Sequence, residues 1–181
     1  MNAVRIMRLA TTMAAAMLLL LTQIVDAAAT ARTFTGEAFT VGSCAIQGRT
    51  IEVPSEEWGG WNVYQVKVYV DFAAEQDGNG HPTEVRLEHI IPNAQPQDFG
   101  VSVDICGTDF SQPCQLGTTT SYSSHPISGL NEQLPVENLD AFNGRSAAGR
   151  WGLIVFGEGC DSHHQPTVVN SWRVTLFMET N

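Results

Sequence analysis

The apolar residues of this chain fall mostly at every second position, in short runs broken by Gly, Pro, Asn and Asp. The run Val63–Phe72 sets Tyr64, Val66, Val68, Val70 and Phe72 on one face and Gln65, Lys67 and Asp71 on the other, the period of a half-buried strand. Asp77-Gly-Asn79-Gly-His-Pro82 is turn chemistry. Glu84–Ile91 alternates again, with Val85, Leu87 and His89 on one side, and Phe99–Ile105 follows with Phe99, Val101, Val103 and Ile105 facing one way. A weaker strand is expected at 118–122. Residues 123–140 read as a surface connection, and two strands close the chain at about 150–156 and 170–178. The early segments Phe34–Phe39 and Ala45–Val53 add one or two more. Past residue 31 no stretch of ten residues shows a 3.6-residue apolar period. Short strands separated by turns predict an all-β fold, an antiparallel sandwich or barrel in one domain.

The first 31 residues stand apart. Arg5 and Arg8 precede the apolar run Met13–Leu21, and small residues follow at Ala27-Ala-Ala-Thr-Ala31. This is the layout of a secretory signal peptide, cut near 27–31. The apolar run is shorter than the roughly 20 residues of a membrane span. Export to the periplasm or medium is therefore expected, with no membrane association after cleavage and a single domain over 32–181.

Composition narrows the partners. Of 9 basic and 19 acidic residues, Arg5, Arg8 and Asp26 lie in the signal, leaving 7 against 18. Such a surface disfavours nucleic acid, whose phosphates need clustered Lys and Arg. The four cysteines, Cys44, Cys106, Cys114 and Cys160, permit three pairings in an oxidising compartment. The short loop between Cys106 and Cys114 favours a local bridge, which leaves Cys44 for Cys160. With no Cys-x-x-Cys, zinc is not expected.

One constellation is more specific. Leu139, Phe142, Gly144, Gly149, Trp151, Leu153 and Val155 are followed, after a loop, by Ser171, Trp172 and Val174. Upstream, Val85-Arg-Leu-Glu-His89 precedes Asp98-Phe99, Val101-Ser-Val103 and Gly107-Thr108. The order and spacing resemble the P domain (Homo B) of subtilisin-like proprotein convertases, sharply over 139–177 and more loosely from 83. The resemblance implies a jelly-roll-like sandwich whose final strands form a closing hairpin with Trp151 and Trp172 inside. It also implies a non-catalytic module that binds or stabilises a partner, plausibly a secreted subtilisin-like serine peptidase, or that belongs to a serine endopeptidase system.

Independently of any family, Gly144 and Gly149 flank a turn that calls for positive φ or close backbone approach, and the two tryptophans are the right size to fill the space between stacked sheets. These are structural roles. The chain contains no Asp-Ser/Thr-Gly, His-Gly or Gly-Thr-Ser segment of a subtilisin-like triad and no Gly-x-Ser-x-Gly elbow. It is not expected to be an enzyme.

Three other features invite chemistry. Asp77 and Asn79 with Asp161 supply oxygen ligands, so calcium is the candidate cofactor, against the plainer reading of a tight turn. His163 and His164 beside Asp161 carry transition-metal ligands, against a solvated loop. Trp58 and Trp61 are candidate platforms for a carbohydrate-binding sandwich, against the reading that they plug its end. His89 with Asp98 is expected to pin a loop.

Overall fold

The computed structural model of the protein describes residues 28–73, 80–91, 100–107, 114, 119–128, 130, 132–157 and 165–180. Ten strands form two stacked sheets: β1 (Ala29–Gly36), β2 (Phe39–Val41), β3 (Ile46–Val53), β4 (Trp61–Phe72), β5 (Pro82–Ile90), β6 (Val101–Cys106), β7 (Thr119–Ser123), β8 (Glu132–Gln133), β9 (Gly149–Gly157) and β10 (Thr167–Thr180). The first sheet runs β1-β10-β4-β7-β8, with β2 extending the β1 edge of β10; the second runs β3-β9-β5-β6. Pairing is antiparallel, except for the two residues of β8 beside β7. Successive long strands cross between sheets except at the β5–β6 pair, which is the winding of a jelly roll. The fold class expected from the alternation is the one observed.

Each inward face is apolar. Val66, Val68, Val70 and Phe72 of β4, Trp172, Val174, Leu176 and Met178 of β10, and Trp151, Leu153 and Val155 of β9 are all buried in one core. Val85, Leu87 and His89 lie inward on β5, as their spacing predicts.

Four sequence expectations need correction. Tyr64 does not share the inner face: it is 41% exposed while Val63 is buried. Pairing with β10 steps from Gln65 opposite Phe177 to Val63 opposite Met178, so Tyr64 is the extra residue of a bulge that reverses the alternation. Asn170 plays the same part on β10, which brings Val169 and Thr167 inward beyond it.

The second correction concerns the closing strands. They are not a hairpin: β9 pairs with β3 and β5, while β10 pairs with β1, β2 and β4 in the opposite sheet. Either arrangement buries the same alternate residues, so the pattern alone does not separate them. Trp151 and Trp172 are nonetheless both fully buried.

The expected surface connection at 123–140 is also more than surface. It holds β8, and a 3-10 turn at Leu139–Phe142 sends Leu139 and Phe142 into the core. Asn138 caps that turn by accepting a hydrogen bond from Asp140 N at 2.8 Å. The early region supplies three strands rather than one or two. Cys106 and Cys114 are joined as a disulfide, and Cys44 is disulfide-bonded as well. Cys160 lies outside the described residues.

Candidate functional site

Phe142, Gly144, Gly149 and Trp151 of the sequence constellation gather near the start of β4, while Ser171, Trp172 and Val174 lie opposite its other end. After the 3-10 turn, Gly144 takes φ +77° and Gly149 φ +132°, conformations that a β-carbon opposes. A Cβ on Gly144 would meet nothing within 4 Å, so backbone conformation alone calls for glycine there. Between these glycines the chain is laced to the start of β4. Gly144 N donates to Val63 O at 2.7 Å, Val63 N to Arg145 O at 2.8 Å, and Ala147 N to Trp61 O at 2.8 Å. The turn thus ties β4 of the first sheet to β9 of the second, with these backbone groups satisfied.

Trp151 is the hub beneath it. Its Nε1 donates to Ala147 O at 3.0 Å, Phe142 tilts against it at 5.2 Å, and His89 stacks on it at 4.1 Å with 16° between the planes. His89 Nε2 bonds Ala148 O at 3.1 Å, which fixes Nε2 as the protonated nitrogen. Nδ1 has no partner among the described residues. Burial holds the imidazole below its ordinary value, with the charge of Arg145 acting in the same direction and the Ala148 bond opposing both. His89 is therefore neutral packing material at pH 7. Its expected partner Asp98 lies outside the described residues. Ser171 is half-buried on β10, opposite Asp71.

The candidate aromatic platform is occupied from within. Trp58 is buried, meeting Phe34 edge-on at 6.3 Å and Trp61 at 5.8 Å, with the Arg32 guanidinium 5.7 Å from its ring. Trp61 is half-buried in the same stack. The arrangement closes the edge of the sandwich and leaves Trp58 no open ring face of the kind a sugar platform needs. Asp77, Asn79, Asp161, His163 and His164 lie outside the described residues. Among the described residues, no group of three His, Cys, Asp or Glu side chains is placed to hold a metal.

One carboxylate–imidazole pair stands in the open. His125 Nε2 lies 3.2 Å from Asp140 Oδ2. The neighbouring hydroxyls are committed elsewhere: Ser124 Oγ donates to Asn138 Oδ1, and Ser123 Oγ accepts from His125 N at 3.2 Å. Among the described residues, no hydroxyl makes to this imidazole the hydrogen bond of an activated nucleophile.

One concavity was not marked by any motif. It is an open trough of about 510 Å³ on the outer face of the first sheet. Arg173 of β10 lies over Tyr69 of β4, its Cζ 3.7 Å from the ring centre. In the next rung Thr33 and Thr175 share a hydroxyl–hydroxyl hydrogen bond at 2.8 Å, beside Lys67. Lys67 reaches Glu132 of β8 at 2.6 Å, where the carboxylate also accepts from Ile127 N at 2.8 Å. Desolvation pushes the Glu132 pKa up, but the Lys67 hydrogen bond, the Ile127 N–H and the ammonium charge together outweigh it and hold the group below the ordinary carboxylate value. That ion pair fastens Glu132, and through it Ile127, beside β4, where Leu130 lines the trough as well. The sequence placed Lys67 and Asp71 on the outward face of β4. It gave no sign that Arg173 and Thr33 would lie beside them, because strand order is not written in the alternation.

No protein-family model matches the chain, and no curated protein matches it. Among solved structures it is similar to a protein of Eubacterium rectale regarded as secreted, with 14% identity, TM-score 0.40, and coverage of 85% of this chain and 40% of that one. It is also similar to a Desmodium yellow mottle tymovirus structure (10% identity, TM-score 0.28, 83% and 87% coverage) and to a family two carbohydrate esterase from Cellvibrio japonicus (12%, 0.24, 83% and 34%). The chain thus spans less than half the length of the first of these. None of the three is a P domain, and likeness at these scores bears on neither ancestry nor activity.

Proposed function

We propose that this protein is an exported, non-catalytic P-domain-like module that binds and stabilises a subtilisin-like serine peptidase carried on a separate chain. One observation carries the reading. The residues that match the P-domain pattern form a single interlocked unit, in which Gly144 and Gly149 shape the turn and Phe142, Trp151 and His89 stack beneath it. Leu153, Val155, Trp172 and Val174 continue the match into the common core. The pattern is therefore spent on closing a jelly roll, and that favours a module whose work is done by its surface. Calcium bound by Asp77, Asn79 and Asp161 would belong to the same reading, as a clamp on the loops. The carbohydrate-binding alternative at Trp58 and Trp61 is weakened by the packing of those rings against each other and Phe34.

The test pairs the mature chain with the subtilisin-like peptidases of its own secretome, each purified. Binding is followed calorimetrically, with and without Ca²⁺, and the peptidase's thermal-inactivation half-life is followed by activity. A partner held at micromolar affinity, about −8 kcal/mol, should inactivate more slowly when the module is present. If every such peptidase fails to bind and decays at its own rate, the proposal is wrong.

A further inference from the structure

We propose that the trough on the outer face of the β1-β10-β4-β7 sheet binds an acidic oligosaccharide, with a uronic acid carboxylate on Arg173 and ring hydroxyls on Thr33, Thr175 and Ser121. The trough residues are other than those that match the P-domain pattern.

Charge supplies the first argument. The chain carries a formal −10, yet the centre of this face presents two cations. Lys67 is neutralised by Glu132. Arg173 has no carboxylate partner among the described residues, and its Cζ rests over the Tyr69 ring, 3.7 Å from the centre. A guanidinium fixed in this way has already lost much of its freedom and presents a fork that fits a carboxylate. An unpaired cation among the described lining residues, on a chain of formal net charge −10, favours a ligand with sparse negative charge. Nucleic acids and heavily sulfated chains carry too much.

Hydrogen bonding supplies the second. The floor belongs to β10, which pairs with β1 and β4, and to β4, which pairs with β10 and β7, so the backbone there is committed to the ladder on both sides. An extended peptide gains affinity by adding a strand to a free edge, whereas the trough floor on β10 and β4 lies inside the sheet and the edge strands there are β1, which carries Thr33, and β8, which carries Glu132. What the floor offers is side-chain hydroxyls. The Thr33–Thr175 pair at 2.8 Å uses one donor and one acceptor and leaves another donor and several lone pairs open. A ligand that brings its own hydroxyls, each both donor and acceptor, satisfies such a floor. A sugar ring's C–H face would rest on Leu130, which is 56% exposed along the trough. The trough's 510 Å³ lies within the ordinary range for ligand sites.

Calorimetry on the mature chain tests this with a defined hexamer of galacturonate, its methyl-esterified form, hexamers of mannuronate and glucuronate, and an acidic peptide of matched charge. Binding of at least one free uronate hexamer is expected, weakened by esterification. Arg173→Gln should weaken it roughly 10- to 100-fold, the range for losing a charged hydrogen-bonding partner. Thr33→Val with Thr175→Val should weaken it severalfold, and Arg150→Gln on the other sheet should leave it unchanged. Each variant is exposed or half-exposed, and its melting curve confirms folding. Failure of every uronate hexamer to bind overturns the inference, as does equal binding of the ester or full affinity in Arg173→Gln. Equal binding of the acidic peptide would transfer the site to polypeptides and likewise overturn it. Because Arg173→Gln should still protect a partner peptidase, failure here is distinguishable from failure of the module reading.

Discussion

Replacing Trp151 with Leu removes the hub of the closed end while keeping an apolar residue on β9. Three losses follow from the structure. The indole N–H no longer reaches Ala147 O, which lies on a fully buried residue, and an unpaired buried acceptor costs about 1–3 kcal/mol. The stack on His89 and the contact with Phe142 disappear, where an aromatic pair is worth about 0.5–1.5 kcal/mol. The vacated volume cannot fully collapse between two hydrogen-bonded sheets, and large-to-small core changes of this kind cost about 3–5 kcal/mol in total. Domains are stable by only about 5–15 kcal/mol, so the variant should be folded at 15 °C and much closer to unfolding. Urea titration gives the free energy. An NMR titration of His89 gives an independent reading: with the indole gone, water reaches the imidazole and its pKa rises towards the ordinary value near 6.5. A loss below about 1 kcal/mol, small for a core change, together with an unmoved His89 titration, would refute the claim that Trp151 organises this end.

Gly36→Ala should cost about 1–3 kcal/mol, because its Cβ would fall 2.1 Å from the Trp172 ring, which has no room to retreat; thermal melts would show it, and an unchanged melting temperature would mean that β1 is loosely held. Glu132 has a folded pKa below its unfolded value, so its contribution is fully present above about pH 4.5 and is lost as pH falls through the folded value. Glu132→Gln should therefore destabilise at pH 7 by about 1–3 kcal/mol and make little difference near pH 3, as urea midpoints at both values would reveal. Replacing Cys106 and Cys114 together by Ser opens a loop of sequence separation 8 and should cost about 2–3 kcal/mol, read from the same titrations against the oxidised parent. Ala28 exchanges hydrogen bonds with Thr180 beyond the last rung of β1, so signal cleavage after Ala27 would keep the strand whole, and the intact mass of the exported chain would decide.

The alternation along the chain was enough to determine that this is an all-β protein with Trp151, Trp172, Leu153 and Val174 inside, because a strand exposes one face per parity and burial depends on little else. The glycines of the 142–149 turn were legible for the same local reason: positive φ is a property of one residue. Strand partners were not. Two apolar faces can meet as neighbours in one sheet or across the gap between two, and both arrangements bury the same side chains, so only the tertiary structure put β9 and β10 in opposite sheets. Bulges at Tyr64 and Asn170 were equally hidden, since an extra residue shows itself only against a partner's register. The trough is the sharpest case. Arg173, Tyr69, Thr33 and Glu132 are scattered over a hundred residues and become a site only because β1, β10, β4 and β8 lie in one sheet in that order. Local sequence sets which way a side chain points, and long-range pairing sets what it points beside.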